Sequence, residues 1–235
     1  MISNDLKYKH FRFPVAVISQ AIYLYNRFTL SYRDVSDLLL ERGIVVSHQT
    51  VKKWNVRFGA MFAEEIKKRR RKPTRRWHID EMHCKIAGEK HYLWRAVDSD
   101  GVVLDVFVSE RRNKKAAEEF FSKLYGQYED PSRITTDRLR LYRSVVPETF
   151  LKVKHVKGKW KNNRVENSHI IVREREKKFK KFKSSAQAQT FLDRFEFIRG
   201  YLKPTQHLMT SSTYRNSVKY RLRVWNEIAV IPFFQ

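Results

Sequence analysis

The spacing of apolar residues changes from a helical period to a strand period near residue 77. Before this point, apolar side chains recur every three or four residues over 14–58, as on the buried faces of helices. After it they alternate with polar side chains, as in half-buried strands. Between the two parts lies a basic run at 67–76 (KKRRRKPTRR), which is too highly charged to pack into a core. The domains expected from this pattern are a helical domain at 1–65, a linker at 66–76, a second domain at 77–203 and a tail at 204–235.

The second domain is expected to be an α/β domain. Three successive strands are predicted, and the Asp-Gly pair at 100–101 is typical of a tight hairpin turn. The predicted order is strands at 77–86, 91–98 and 102–109, a helix at 113–125, a strand at 132–136, a short helix, a strand at 151–156, a long basic helix at about 163–182 and a last helix at 186–202. This is the order of the RNase H-like fold, a mixed sheet flanked by helices.

The N-terminal domain shows the pattern of an all-α helix-turn-helix. Ser31 and Ser47 are placed to cap two successive helices, and Gly43 lies in the turn between them. In this motif the first turn of the second helix meets base edges in the major groove. The residues expected to contact DNA on that helix are His48, Gln49, Thr50, Lys52, Lys53 and Arg57.

Within this group the side-chain chemistry suggests a division of roles. Gln49 and Lys52 are suited to read base edges, whereas Lys53 or Arg57 is suited to hold phosphates. The alternative is an ordinary helical bundle whose charged face is only solvated.

The net charge favours a polyanionic partner. Lys and Arg number 49 against 25 Asp and Glu, which gives +24. Residues 1–76 carry net +11 and residues 151–235 carry net +14, whereas residues 77–150 are close to neutral at −1. Two basic segments therefore flank a carboxylate-rich middle, a distribution that suits DNA binding combined with a metal site.

Other features narrow the class of protein. The single cysteine excludes an intrachain disulfide, and no apolar run approaches the length of a membrane span. The N-terminus lacks the apolar stretch of a signal peptide. We therefore expect a cytoplasmic, nucleoid-associated protein with no membrane partner.

Three carboxylates occupy positions where an RNase H-like sheet can use them. Asp80 lies within the first strand, Asp137 directly follows a later strand, and Glu166 begins the long basic helix. Three carboxylates that meet in space suit two hard divalent cations, with Mg²⁺ expected and Mn²⁺ able to substitute. Glu81 neighbours Asp80 but is expected to face the other side of the strand, in a supporting or structural role.

Each acidic residue also has a purely structural explanation. Asp80 could form a salt bridge at a strand edge, Asp137 could cap a helix, and Glu166 could interact with a helix dipole. Asp98, Asp100 and Asp105 could compete as metal ligands, although the first two are readily explained as turn residues. His78, His83 and Cys84 lie close together, but the two histidines fall on opposite faces of a strand, which disfavours a zinc site.

The ordered segments WHIDE, YLWRAVDSDG, SERRNKKAA, ITTDRLRLY, NNRVENSH, RERE and FKS resemble those of bacterial insertion-sequence transposases of the DDE class. The N-terminal segment LSYRDVSDLLLERGIVVSHQTVKKW is similar to the helix-turn-helix of the insertion sequence six family. The resemblance extends over about residues 9–210.

The resemblance implies that Asp80, Asp137 and Glu166 form the metal-binding catalytic triad and that Arg173 contacts DNA. Arg138 stands where the family has a lysine after the second aspartate, and it keeps the positive charge with a different geometry. Family members bind terminal inverted repeats, cut at the 3′ ends and join these ends to target DNA, typically by replicative transposition. The partners implied are transposon ends, target DNA and further copies of the chain, in a homodimer or a larger synaptic complex.

Two other functions compete with this interpretation. A helix-turn-helix regulator without chemistry predicts no convergence of the three carboxylates. A hydrolytic nuclease of the RNase H type uses similar carboxylates but would lack a dedicated domain for reading DNA sequence.

Overall fold

The computed structural model describes residues 8, 10–137, 139–158, 182–204 and 209–229. Its helices and strands, in chain order, are α1 (Val15–Arg27), α2 (Tyr32–Leu40), α3 (His48–Arg69), β1 (Arg76–Ile86), β2 (Glu89–Asp98), β3 (Val103–Ser109), α4 (Lys114–Tyr125), β4 (Arg133–Thr136), α5 (Leu141–Thr149), β5 (Lys154–Lys157), α6 (Ser185–Leu202) and α7 (Ser211–Ala229). Among the described residues, no helix is both long and apolar enough to cross a membrane.

The chain divides into two units. The first comprises Met1–Arg70 and Phe197–Gln235, and the second comprises Arg71–Glu196. The division between Arg70 and Arg71 falls within the predicted linker at 66–76, and the first residues of that segment, up to Arg69, belong to α3. The predicted tail at 204–235 contains α7, a helix with four buried side chains near its C-terminal end.

Local signals determine the ends of α2 and α3. The Ser31 hydroxyl accepts a hydrogen bond from the backbone N–H of Asp34, while the Asp34 carboxylate accepts one from the N–H of Ser31, which completes a capping box. After α2, Gly43 has φ +75°, a left-handed conformation that favours glycine. Ser47 then caps α3 by accepting from the N–H of Thr50.

The first unit has an aromatic core shared by α1, α3 and α7. Trp225 of α7 stacks on Phe62 of α3 with 4.0 Å between ring centroids, and its indole N–H donates to Ser19 of α1 at 2.8 Å. At the other end of α1, the buried amide of Asn26 donates to Asn55 of α3 at 2.8 Å. The burial of aromatic rings and the hydrogen bonds of buried polar side chains together hold the C-terminal helix against the N-terminal helices.

The second unit is built on a five-stranded mixed sheet with the order β3-β2-β1-β4-β5. Strands β1, β2 and β3 pair antiparallel, whereas β4 pairs parallel with both β1 and β5. The predicted RNase H-like fold class is confirmed. The predicted short helix before β5 is α5, and the predicted basic helix at 163–182 lies outside the described residues, except for its last residue.

Helices cover both faces of this sheet. Alternate side chains of β1 and β2, among them Ile79 and Trp94, pack against Phe120 and Phe121 of α4 and Val145 of α5 in the main apolar core. Side chains on the opposite face meet α6, where the Gln189 amide donates to the Val106 carbonyl at 3.0 Å. Burial on both faces is most complete in β2 and β3, where most side chains are buried.

The segment that precedes β1 is attached to the β2–β3 turn. Arg71 forms an ion pair with Asp98 at 3.0 Å, and the backbone N–H of Thr74 donates to the same carboxylate at 2.9 Å. Asp98 also accepts from the backbone N–H groups of Asp100 and Val102 within the turn. The turn role expected for Asp98 is therefore confirmed, and the last residues of the predicted linker are ordered against the sheet.

A buried ion pair joins the sheet to α6. Arg95 of β2 donates a hydrogen bond to Glu196 of α6, and both side chains are only 1% exposed. Removing one member of such a pair leaves the other charge buried without compensation, which is more costly than removing both.

We therefore expect Arg95→Met to lower the free energy of unfolding by about 3–5 kcal/mol. The double variant Arg95→Met/Glu196→Leu should recover most of that loss, because no isolated buried charge remains. Urea unfolding of the wild type, both single variants and the double variant measures the coupling. Strictly additive losses would contradict the buried pairing.

Candidate active site

Two of the three predicted carboxylates meet at the end of β4. Strand β1 pairs with β4 in parallel, with Trp77 opposite Ile134 and His78 opposite Thr135. Continuing the same register by two residues places Asp80 beside Asp137. The structure thus brings together residues that are 57 positions apart in the sequence, at the carboxyl edge where ligands of α/β sheets commonly bind.

Asp137 is held in a definite orientation. One carboxylate oxygen accepts a hydrogen bond from the backbone N–H of Leu139 at 2.9 Å. The other lies 4.0 Å from the Arg112 guanidinium, and about a third of the side chain remains exposed. Asp137 is therefore oriented by its own turn but open to solvent and ligands.

Glu81 joins the two aspartates, which the sequence analysis did not predict. Carboxylate oxygens of Asp80, Glu81 and Asp137 all lie within 4.8 Å of one another. Alternation along a strand separates the side chains of neighbouring residues, but β1 extends beyond the last residue of β4. At that edge a glutamate can reach the cluster. The prediction that Glu81 is directed away from the site was wrong in this respect.

Glu81 is anchored by two other side chains. Its side chain is only 2% exposed, and it accepts hydrogen bonds from the Arg112 guanidinium and the Tyr142 hydroxyl. Tyr142 is fully buried in the apolar core beneath the sheet. The supporting role expected for Glu81 thus has a structural basis in these contacts.

The pKa values of Glu81 and Asp137 are raised by burial and by the neighbouring carboxylates. The pKa of Glu81 is raised to about 7, chiefly by burial and further by the negative charges of Asp137 and Asp80, while the hydrogen bond from Tyr142 and the charge of Arg112 oppose the increase. Burial also raises the pKa of Asp137, with a further increase from Asp80 and opposing effects of the Leu139 N–H and Arg112. Negative charge is therefore concentrated at this site, and Arg112 offsets part of it.

The three carboxylates fit a hard divalent cation. They offer oxygen atoms alone, which are the ligands that Mg²⁺ and Mn²⁺ prefer in proteins. A cation would also relieve the repulsion that raises the pKa values of Glu81 and Asp137. His78, His83 and Cys84 do not belong to this group, and Cys84 is buried.

The remaining predicted residues of this site lie outside the described part of the chain. These are Glu166, Arg138 and Arg173. The competing acidic residue Asp105 has local partners instead, because its carboxylate accepts from Lys123 at 3.1 Å and from Gln127 at 2.7 Å.

The six residues predicted to contact DNA lie on the first three turns of α3. Gln49, Lys52, Lys53 and Arg57 are exposed. The Thr50 hydroxyl lies 3.0 Å from that of Ser47 and so takes part in the helix cap. Nε2 of His48 lies 3.2 Å from Nε2 of Gln49.

Arg57 is oriented by aromatic rings. Its guanidinium lies 5.4 Å from the centre of the Phe11 ring and 6.0 Å from that of Phe58. Such cation–π contacts hold an arginine in place while its N–H groups remain able to bind an anion.

The chain is similar to known proteins. A family model described as a DDE domain, DDE_Tnp_IS240, matches residues 74–205. The transposase for insertion sequence-like element IS431mec of Staphylococcus aureus is 32% identical over 181 residues, which cover 75% of this chain and 80% of that protein. The transposase for insertion sequence element IS257 in transposon Tn4003, also from Staphylococcus aureus, is 31% identical over 181 residues with the same coverage.

Among solved structures, the catalytic core domain of BIV integrase aligns with a TM-score of 0.43 and 15% identity, over 63% of this chain and 99% of that chain.

The DDE domain and its carboxylates define a DNA-cleaving and DNA-transferring enzyme of the DDE class. Within that class, the chain belongs to the insertion sequence six family of transposases. Membership of this family implies dependence on a divalent metal, and the carboxylate group is compatible with it.

A histidine supports the strand end that carries Asp137. The hydroxyl of Thr136 donates to the Asp137 carbonyl at 3.0 Å and lies 2.8 Å from Nε2 of His155 on β5. Because the hydroxyl proton is already used, Nε2–H of a neutral His155 must be the donor to Thr136. The pKa of His155 is lowered from 6.5 to about 4, chiefly by burial and in part by the positive charge of Lys157.

His155 should make stability depend on pH. Its contribution is fully present above pH 6.5 and is lost as the pH falls towards 4, because the unfolded chain then binds the proton more tightly. Relative to His155→Gln, the wild type should lose about 1–2 kcal/mol over this range, after allowance for partial solvent exposure. Urea unfolding at several pH values tests this, with exposed His83→Gln as the control. Parallel curves for the wild type and His155→Gln would refute the role.

Proposed function

We propose that this transposase binds the terminal inverted repeats of an insertion sequence, cleaves DNA at their 3′ ends and joins these ends to target DNA. The observation that carries the proposal is the meeting of Asp80 and Asp137 at the end of β4, in a chain of the insertion sequence six family. A regulator without chemistry gives no reason for two partly buried carboxylates to converge at that edge.

The catalytic triad in this proposal consists of Asp80, Asp137 and Glu166, which together hold two Mg²⁺ ions. When bound, such ions stabilise the charge that develops on the attacking and leaving oxygens of a phosphodiester. The oxygen-only ligand group supports Mg²⁺, with Mn²⁺ as a substitute.

The reaction has two in-line displacements. In the first, water attacks the phosphodiester at the 3′ end of the element, the P–O bond breaks, and a 3′ hydroxyl is released. In the second, that hydroxyl attacks a phosphodiester of the target, forming one P–O bond as another breaks. No covalent enzyme intermediate is required, and the joined product leads to replicative transposition.

DNA binding in this proposal is divided between the two units. The helix-turn-helix of α2 and α3 reads the ends, with Gln49 and Lys52 at bases and Lys53 and Arg57 at phosphates. His48 and Thr50 lie at the start of the same helix, and Arg138 and Arg173 hold phosphates near the chemistry. The net charge of +24 supports this extended contact with a polyanion.

The proposed assembly is a homodimer or a larger synaptic complex, because two ends of one element must be held together while they react. Its partners are transposon ends and target DNA, so we expect it to act at the bacterial nucleoid.

Carboxylate-to-amide substitutions test the triad. In a strand-transfer assay with labelled end DNA, target plasmid and Mg²⁺, Asp80→Asn, Asp137→Asn and Glu166→Gln should each lower the rate by about 10³-fold or more. The reason is that an amide keeps the shape of the side chain but removes the charge that holds the cation. End binding, measured without metal, should stay close to wild type.

The matched control for the triad is Glu129→Gln, which removes a carboxylate that is 77% exposed and paired with Lys72 on the surface. It should react like the wild type. Full activity in any of the three triad variants would remove that residue from the proposed site.

Substitutions on α3 separate base reading from phosphate holding. Gln49→Ala should reduce the preference for end DNA over unrelated DNA by about 5–100-fold, because a base contact is worth about 1–3 kcal/mol. Lys53→Ala should weaken binding to both DNAs alike and reduce the salt slope by about one. Fluorescence anisotropy over a range of salt concentrations measures both effects.

The control for α3 is Lys68→Ala, near the other end of the same helix, where Lys68 pairs with Glu65 at 3.0 Å. It should change neither quantity appreciably. An unchanged preference for end DNA in Gln49→Ala would place base reading elsewhere.

A further inference from the structure

One arginine lies among the carboxylates of the site but does not belong to the proposed catalytic triad. Arg112 lies in the loop between β3 and α4, and its guanidinium reaches Glu81 on β1 and comes within 4.0 Å of Asp137. Arg112 is therefore a cation at the edge where the DNA strand must approach if the proposed function is correct.

The loop that carries Arg112 is fixed on both sides. Before it, the Ser109 hydroxyl accepts from the Trp94 indole N–H at 2.8 Å and donates to the Arg111 carbonyl at 2.9 Å. After it, the Asn113 side chain caps α4 by accepting from the N–H of Ala116 at 3.0 Å. The backbone around Arg112 is thus tied to the sheet and to a helix.

The guanidinium is fixed as well. The Glu81 side chain that receives it is almost fully buried, and Tyr142 holds the other carboxylate oxygen of Glu81 from within the core. A cation held in this way loses little further conformational freedom when it binds an anion, which is the condition for strong binding by preorganised groups.

Arg112 is nevertheless open on its outer side. The side chain is 38% exposed, and its contacts with Glu81 and Asp137 both involve one guanidinium nitrogen, Nη2. Guanidinium has further N–H donors in a planar fork that matches two oxygens of a phosphate. A partner for Glu81 alone would need neither this exposure nor this position beside Asp137.

We propose that Arg112 binds a phosphate of the transposon end next to the cleaved bond, with Glu81 and Tyr142 as the positioning residues behind it. This proposal rests on the proposed function, because the phosphate is that of the DNA held at Asp80 and Asp137. Arg112 would supply positive charge to the substrate at a fixed distance from the carboxylates that hold the cation.

Neutral phosphates in the DNA test this contact. End duplexes are made with a single uncharged methylphosphonate at each position around the 3′ cleavage site, and their affinities are measured with Ca²⁺, a hard cation that prefers oxygen ligands. In the wild type, one position should weaken binding by about 10–100-fold, as expected for loss of a charged hydrogen bond. In Arg112→Met the same position should have no further effect, because its partner is already missing.

The matched control is Arg111→Met, which removes the same charge from the neighbouring exposed position. It should keep the wild-type response at that phosphate. Because Arg112→Met leaves Glu81 buried without its charged partner, the double variant Glu81→Gln/Arg112→Met is measured beside it. The double variant should also show no response to the neutral phosphate, and thermal unfolding confirms which proteins are folded.

The outcomes separate the two proposals. If Arg112→Met and the double variant keep the full wild-type loss at that phosphate, or if the wild type shows no sensitive position, the Arg112 contact is wrong while end binding stands. If the wild type shows no preference for end DNA over unrelated DNA, it is the proposed function that fails.

Discussion

The parallel pairing of β1 with β4 is the contact on which the site depends. It ends just before Asp80 and Asp137, so both carboxylates emerge side by side at one edge of the sheet. Parallel neighbours cannot be joined by a tight turn, and here the chain passes through β2, β3 and α4 between β1 and β4. Packing of α4 and α5 on Ile79 and its neighbours keeps β4 in register. The apolar core therefore determines the distance between the two aspartates.

The same core also concentrates charge at the site. Glu81 is held by Tyr142 from below and by Arg112 from the side, and burial together with the two aspartates raises its pKa to about 7. A bound divalent cation would offset the negative charge of these carboxylates, so metal binding would reduce the repulsion among them. The packing of core residues that do not contact a ligand thus places the carboxylates where they can bind a cation.

Much of this arrangement could be predicted from the sequence, because alternation and capping are local signals. Asp80 was expected within the first strand and Asp137 directly after a later one, and Ser31 and Ser47 cap the helices as predicted. The proximity of Glu81 was not predictable, since strand alternation gives the direction of a side chain but not the length by which β1 extends beyond β4.

The helix α7 was missed for a different reason. Its sequence is polar and basic over the first half, and only Val224, Trp225, Ile228 and Ala229 are buried in the core. These residues come late in a segment read as a tail, and the stacking of Trp225 on Phe62 is a long-range contact.

The most direct test of the account is calorimetric titration of the wild type, Asp80→Asn and Asp137→Asn with Mn²⁺. The wild type should bind Mn²⁺, and each variant should bind it at least about tenfold more weakly. Equal affinities in all three proteins would contradict a metal site at the end of β4.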